Sequence, residues 1–266
     1  MKSNLYYIHP KMCIICEGEK LEGKRAVNID LCRSIKELPA LPEGLEVLRC
    51  VMTNITSLPD LPKSLRRLIC FDSKLNSLPP LPEGLEDLHC DNNNLTCLPV
   101  LPKSLINLSC CFNRIKVLPE LPEKLQKLFC TNTEIKVLPA LPASLYHLSC
   151  GACKKLGSLP TLPEQMSVLN ISSTRITSLN YWPKNINGFY CDNTMITDVP
   201  EALLIPCWPQ RCPFLEYNNP YYKERMKNLY VLQKWSRKRM WKRRLNRRHY
   251  LKKFIITDII SVIFLY

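Results

Sequence analysis

The chain has 266 residues, of which 46% are apolar, so it is long enough to bury a core in one or two domains. Its net charge is +14, but the segment from Lys223 to Lys253 alone carries 14 Lys or Arg against one acid. The rest is nearly neutral, so the positive charge indicates a possible class of partner for the basic segment only. The start lacks the apolar run of a secretory signal peptide, so we expect the 15 cysteines to be reduced thiols in a cytoplasmic protein.

Residues 1–26 are interpreted as an N-terminal cap or tail. Within them, Cys13 and Cys16 have the spacing of half a zinc site, but no second pair of ligands follows at a fitting distance. We therefore predict that the two cysteines pack beside Ile14 and Ile15 in the cap. No metal and no other cofactor is expected.

A repeat of 20 residues dominates the chain: the stretch from Leu58 to Cys70 returns as Leu78–Cys90 and three further times. Aligned, the units read L-x-x-L-x-C-x-x-N/T-x-L/I-x-x-L-P-x-L-P. Eight clear units are marked by Leu48, Leu68, Leu88, Leu108, Leu128, Leu148, Leu169 and Phe189. With one degenerate unit before them, they predict a solenoid over residues 27–203.

The residue types of one unit predict its conformation. Alternation places Leu48 and Cys50 on one face of a short strand, so stacked units should form a parallel sheet with leucine and cysteine inside. The position three residues after the cysteine, held by Thr53 in this unit, follows the strand, and its side chain can bond the turning backbone. The segment Leu58-Pro-Asp-Leu61-Pro62 removes two N–H donors, which excludes a helix and favours an extended, polyproline-like convex side.

This pattern resembles the leucine-rich repeat, and its proline-containing variety is similar to the LPX type found in effectors of bacteria with type III secretion. Similar repeats occur in leucine-rich-repeat proteins of mimivirus-like giant viruses. The resemblance implies a leucine-rich-repeat solenoid, and it implies a location in the host-cell cytoplasm if the protein is viral or a bacterial effector. Some bacterial relatives add a large ubiquitin-ligase domain, for which the roughly 60 residues after the repeats are too few. Since we find no catalytic constellation either, we predict no enzyme and no small-molecule substrate.

The concave face of the strands is the predicted partner-binding surface. Its apolar members, such as Ile69 and Phe71, favour a protein contact, because exposed apolar clusters often mark one. The alternative is that they cover neighbouring repeats or the C-terminal helix. The predicted binding residues are Arg49, Arg67, Ile69, Phe71, Asp87, His89, Asn107, Phe112, Lys127, Phe129, His147 and Tyr190.

After the repeats, residues 204–220 are predicted to form a proline-rich exit, residues 221–254 a basic α-helix, and residues 255–266 a short apolar tail. The helix could bind nucleic acid, with aromatic side chains stacking on bases, or an anionic membrane surface. It also resembles an IQ-type segment that binds a calmodulin-like protein, and a solvated tail without a partner remains open. The candidate anion-binding residues are Lys234, Arg237, Lys238, Arg239, Lys242, Arg243, Arg244, Arg247 and Arg248.

Overall fold

The computed structural model describes residues 13–18 and 20–196, so the predicted exit, basic helix and apolar tail lie outside the described residues. Nine short strands form one parallel sheet in sequence order. They are β1 (Ala26–Asn28), β2 (Val47–Arg49), β3 (Arg67–Ile69), β4 (Asp87–His89), β5 (Asn107–Ser109), β6 (Lys127–Phe129), β7 (His147–Ser149), β8 (Val168–Asn170) and β9 (Gly188–Tyr190). The predicted parallel sheet is confirmed.

The register of the sheet follows the sequence period. Leu48 pairs with Leu68, and Leu68 with Leu88, so equivalent residues of successive repeats lie side by side. The middle leucine of each of these strands is fully buried, and so is the cysteine two positions later, as Cys50 and Cys70 show. The core is therefore a stack of leucine and cysteine side chains behind the sheet.

Burial makes the stacked thiols poor nucleophiles. It raises the pKa of Cys90, Cys110 and Cys150 well above the ordinary value, and the Asp91 carboxylate contributes at Cys90. Cys97, by contrast, is exposed on a connecting segment.

Alkylation of the native protein should therefore separate these cysteines. We expect Cys97 to react with a maleimide at least about 100-fold faster than Cys90 or Cys110, because the thiolate is the reacting species and the stack excludes the reagent. Peptide mapping by mass spectrometry after a timed pulse measures the rates. Equal labelling of Cys97 and Cys110 in the folded protein would contradict a buried thiol stack.

The connections between strands contain no helix within the described ranges, in agreement with the paired prolines. A tight turn follows the second proline of the repeats from Pro42 to Pro163. The Leu65 N–H donates to the Pro62 carbonyl oxygen at 3.0 Å, and the Leu105 N–H makes the same bond to Pro102 at 3.1 Å. Proline suits this position because the bond uses its carbonyl and needs no N–H donor. The described part of the chain also has no helix long and apolar enough to cross a membrane.

A second turn follows each strand. One residue per repeat adopts a left-handed backbone conformation there, for example Asn92 with φ of 50° and Asn132 with φ of 56°. The next residue closes the turn with its side chain: Asn93 Nδ2 lies 2.8 Å from the Cys70 carbonyl oxygen, and Asn93 Oδ1 accepts the Leu75 N–H at 3.0 Å. These bonds link adjacent repeats, as the residue types predicted.

Candidate protein-binding surface

The strand face consists of the first and third residues of each strand together with the residue two positions after it. These side chains lie on the side of the sheet opposite the leucine stack, because successive residues of a strand alternate in direction. Parallel pairing arranges them in three columns across the repeats. Arg67, Asp87 and Asn107 are consecutive in the first column, while Ile69 and His89 are neighbours in the second.

A charged cluster lies in the first column of the strand face, on β3, β4 and β5. Arg67 Nε lies 2.8 Å from Asp87 Oδ2, and Asn107 Nδ2 donates to the other carboxylate oxygen. Asp87 is only 9% exposed, so the cluster is held in a partly dehydrated setting in which charge-assisted bonds are strong. Asn107 Oδ1 is buried and has no hydrogen-bond partner among the described residues, which leaves one open acceptor beside the carboxylate.

His89 and Asp91 extend this cluster along the same repeat. Asp91 Oδ1 accepts the Ser109 hydroxyl at 2.6 Å and the Cys111 N–H at 2.7 Å. Burial raises the pKa of Asp91 despite these donors, and burial lowers the pKa of His89 although the Asp91 and Asp87 carboxylates oppose the shift. Both side chains are therefore displaced toward their neutral forms.

Towards the N-terminus, an ion pair anchors the strand face to the first repeat. Arg49 Nη2 and Nε lie 2.9 and 3.1 Å from Asp30 Oδ2, while Asp30 Oδ1 accepts the Val51 N–H at 2.9 Å. Asp30 and Asp91 hold the same position in their repeats, and each bonds the backbone of the next repeat. These two aspartates stabilise the sheet as well as shaping its surface.

The apolar side chains of the strand face are less exposed than the sequence suggested. Ile69, Phe71 and Phe129 are half-buried, whereas Tyr190 is 42% exposed. The Phe129 ring packs against His147 with centroids 4.7 Å apart. Among the described residues, the most exposed apolar side chains lie instead between the strands. They are Val100 at 85%, Val117 at 71% and Val137 at 67%.

Phe112 does not lie on a strand, contrary to its assignment to the strand face. Strand β5 ends at Ser109, and Phe112 occupies the left-handed turn that follows, with φ of 54°. Its N–H donates to the Thr131 carbonyl oxygen at 2.9 Å. Asn92 and Asn132 hold the same turn position in the flanking repeats, so Phe112 belongs to a column at the edge of the sheet.

His147 should make the stability of the protein depend on pH. Burial, assisted by Lys127, lowers its pKa from 6.5 to about 4. The unfolded chain therefore binds more protons than the folded one between these two pH values. The contribution of His147 to the free energy of unfolding should be fully present above pH 6.5 and should decline as the pH falls toward 4.

We expect the substitution His147→Gln to weaken this decline, with His89 responsible for a remaining part in the same direction. Urea unfolding of the wild type and the variant at pH 7.5 and pH 5 measures the effect. An NMR titration in which His147 protonates near 6.5 in the folded protein would contradict it.

Three cysteines come together at the N-terminal end. The Sγ atoms of Cys13, Cys16 and Cys32 lie within 4.8 Å of one another, and those of Cys16 and Cys32 are 3.5 Å apart. Cys32 was not predicted to join the pair, although the 15 residues between Cys16 and Cys32 fall within the spacing of zinc sites. The nine basic residues from Lys234 to Arg248 that were singled out lie outside the described residues.

No family model and no curated protein matches the chain. Among solved structures, YopM from Yersinia enterocolitica aligns with 67% of this chain and 43% of its own at 29% identity and a TM-score of 0.53. YopM from Yersinia pestis, a leucine-rich effector protein, aligns with 64% of this chain and 56% of its own at 29% identity and a TM-score of 0.54. This chain has a leucine-rich-repeat fold. It spans about half the length of these YopM chains.

A third structure of this fold is the functional domain of InlJ from Listeria monocytogenes, which includes a cysteine ladder. It aligns with 70% of this chain and 45% of its own at 23% identity and a TM-score of 0.61. The resemblance to bacterial leucine-rich-repeat proteins is thus confirmed for the fold. The resemblance to giant-virus proteins stays a prediction.

Proposed function

We propose that this chain is a non-enzymatic module that binds a protein partner through its strand face. The observation that carries the proposal is the arrangement around Asp87. A carboxylate held by Arg67 and Asn107 lies one repeat away from the half-buried Ile69, in the next column. Polar groups already fixed by their neighbours lose little side-chain entropy on binding.

The apolar part of the face suits the same role. Aromatic residues are enriched in protein interfaces, and a few well-packed anchors supply most of the binding free energy. Phe71 and Ile69 stand on one side of the charged cluster, and Phe129 with His147 on the other. A partner that covers both sides would bury these rings and complete the dehydration of Asp87.

The proposal extends to the cellular context, which we infer from the type of protein that shares this fold. YopM is a leucine-rich effector protein, and the present chain shares its fold and its 20-residue period. We place the module in the cytoplasm, and in the cytoplasm of a host cell if its source is a bacterial pathogen or a virus.

The double substitution Phe71→Ser and Phe129→Ser tests the binding face. We expect recovery of a partner by affinity purification from the native cell to fall at least about 100-fold, since loss of two anchors of about 2 kcal/mol each is more than sufficient. The matched control is Val117→Ser with Val137→Ser, which removes two exposed apolar side chains between strands.

The control variant should recover the partner like the wild type. Circular dichroism melts of both variants show whether the solenoid is intact. If the folded Phe71/Phe129 variant recovers the same partner undiminished, the strand face is not the binding surface.

A second candidate function rests on charge alone. The +13 segment from Lys223 to Lys253 could bind nucleic acid or an acidic membrane surface, with the solenoid acting as a spacer. Deleting residues 223–266 and measuring binding to RNA, to acidic vesicles and to calmodulin across a salt series separates these ligands. If the truncated chain keeps its partner and its location, the basic segment is not the binding element.

A further inference from the structure

We propose that Cys13, Cys16 and Cys32 form a zinc site that fastens the N-terminal turn to the first repeat of the solenoid. The geometry of the three sulfur atoms carries the proposal. In a tetrahedral zinc site with Zn–S bonds of about 2.3 Å, two sulfurs are about 3.8 Å apart. The observed separations, 3.5 Å for Cys16 and Cys32 and at most 4.8 Å within the trio, bracket that value.

The backbone around Cys13 and Cys16 forms a tight turn that suits metal binding. The Glu17 N–H donates to the Cys13 carbonyl oxygen and the Gly18 N–H to the Ile15 carbonyl oxygen, both at 3.0 Å. Gly18 adopts φ of 75°, which turns the chain away after the second cysteine. This tight turn brings the thiols of a C-x-x-C pair to the same side, as chelation requires.

Cys32 is presented from a separate element. Strand β1 ends at Asn28, Leu31 takes the left-handed conformation at φ of 65°, and the Cys32 N–H donates to the Ile29 carbonyl oxygen at 3.2 Å. Its thiol therefore comes from the turn of the first repeat. A metal bound to all three would join two segments 15 residues apart at the end of the solenoid, where a capping element is needed.

The donor set selects the kind of ion. Thiolates favour Zn²⁺ over the oxygen-preferring Mg²⁺ and Ca²⁺, and three of them occupy three of the four tetrahedral positions. A water molecule or another nitrogen or oxygen donor completes the set. Binding of Zn²⁺ replaces the protons that the thiols still carry, which pass to solvent, and no electron is transferred.

Metal analysis of the full chain, purified under reducing conditions without chelator, tests the site. We expect about one zinc per chain, and X-ray absorption spectroscopy should show three sulfurs and one lighter donor in the first shell. Mutating a residue that hydrogen-bonds a metal ligand costs about 10–100-fold in metal affinity. Loss of a ligand itself should cost more, so we expect Cys13→Ser, Cys16→Ser and Cys32→Ser each to lower zinc affinity at least about 100-fold. Cys97→Ser, at an exposed cysteine of the repeats, should bind zinc like the wild type.

Cobalt substitution protects the test against variants that fail to fold. Co²⁺ added to the reduced, metal-free wild type should give the thiolate charge-transfer bands of a tetrahedral site, and zinc should abolish them. Absence of stoichiometric zinc together with absence of those bands would overturn the proposal. The proposal would also be overturned if Cys16 and Cys32 formed a disulfide in the unreduced protein and no zinc bound after that disulfide was reduced.

Discussion

Replacing Asn93 with alanine should lower the free energy of unfolding by about 3 kcal/mol, since leaving several buried partners unsatisfied costs about 1–3 kcal/mol each. The side chain is buried, and its amide nitrogen lies 2.8 Å from the Cys70 carbonyl oxygen and 3.1 Å from that of Cys90. Its amide oxygen also accepts the Leu75 N–H. Chemical denaturation followed by circular dichroism measures the loss.

The next residue supplies the control. Asn94 is exposed, so Asn94→Ala should change stability by less than about 0.5 kcal/mol. Asn93→Thr should fall between, because Thr133 fills the same position two repeats later. Its hydroxyl donates to the Cys130 carbonyl oxygen at 2.9 Å and lies 3.2 Å from Cys153 Sγ, but makes no bond to a backbone N–H among the described residues. Equal stability of Asn93→Ala and Asn94→Ala would show that the bonds between repeats do not hold the turns.

The second large effect concerns the leucine stack. Leu108 in β5 is fully buried and pairs with Leu88 on one side and Leu128 on the other. We expect Leu108→Ala to cost about 3 kcal/mol, the sum of the lost transfer free energy and the cavity left behind. A central repeat cannot collapse to fill this cavity without disturbing both neighbours, because each repeat of a solenoid packs only on the next.

Val100 provides the comparison for this substitution. It lies in the connection before β5 and is 85% exposed, so Val100→Ala should leave the unfolding midpoint unchanged. Both variants should be compared in the same urea titration, with the slope checked for loss of cooperativity. A Leu108→Ala protein as stable as Val100→Ala would mean that the stacked leucines are not the core.

The regular part of the fold could be predicted because one local rule repeats. Once Leu68 and Cys70 are assigned to one face, the period assigns every equivalent residue, and the paired prolines exclude a helix between strands. The prediction for Thr53 and its equivalents also held, since a short polar side chain in a turn has few backbone groups within reach. No long-range information was needed for these residues.

The surface could not be predicted in the same way, because it depends on which neighbours meet across repeats. Phe112 was predicted to lie on the strand face, but the chain turns there, at φ of 54°, so its side chain does not align with the columns. The amide and guanidinium around Asp87 come from adjacent repeats, so their contacts with the carboxylate require the register. Cys32 joins Cys13 and Cys16 for a similar reason, through the return of the chain after β1.

Site-specific photo-crosslinking tests the proposed binding face most directly. A photoreactive amino acid replaces Lys127 or Tyr190 on the strand face. In the matched controls it replaces Lys116 or Tyr181, which are exposed and lie outside the three columns. We expect one and the same protein to be crosslinked from Lys127 and from Tyr190, and not from Lys116 or Tyr181. Crosslinking of that protein only from the control positions would contradict it.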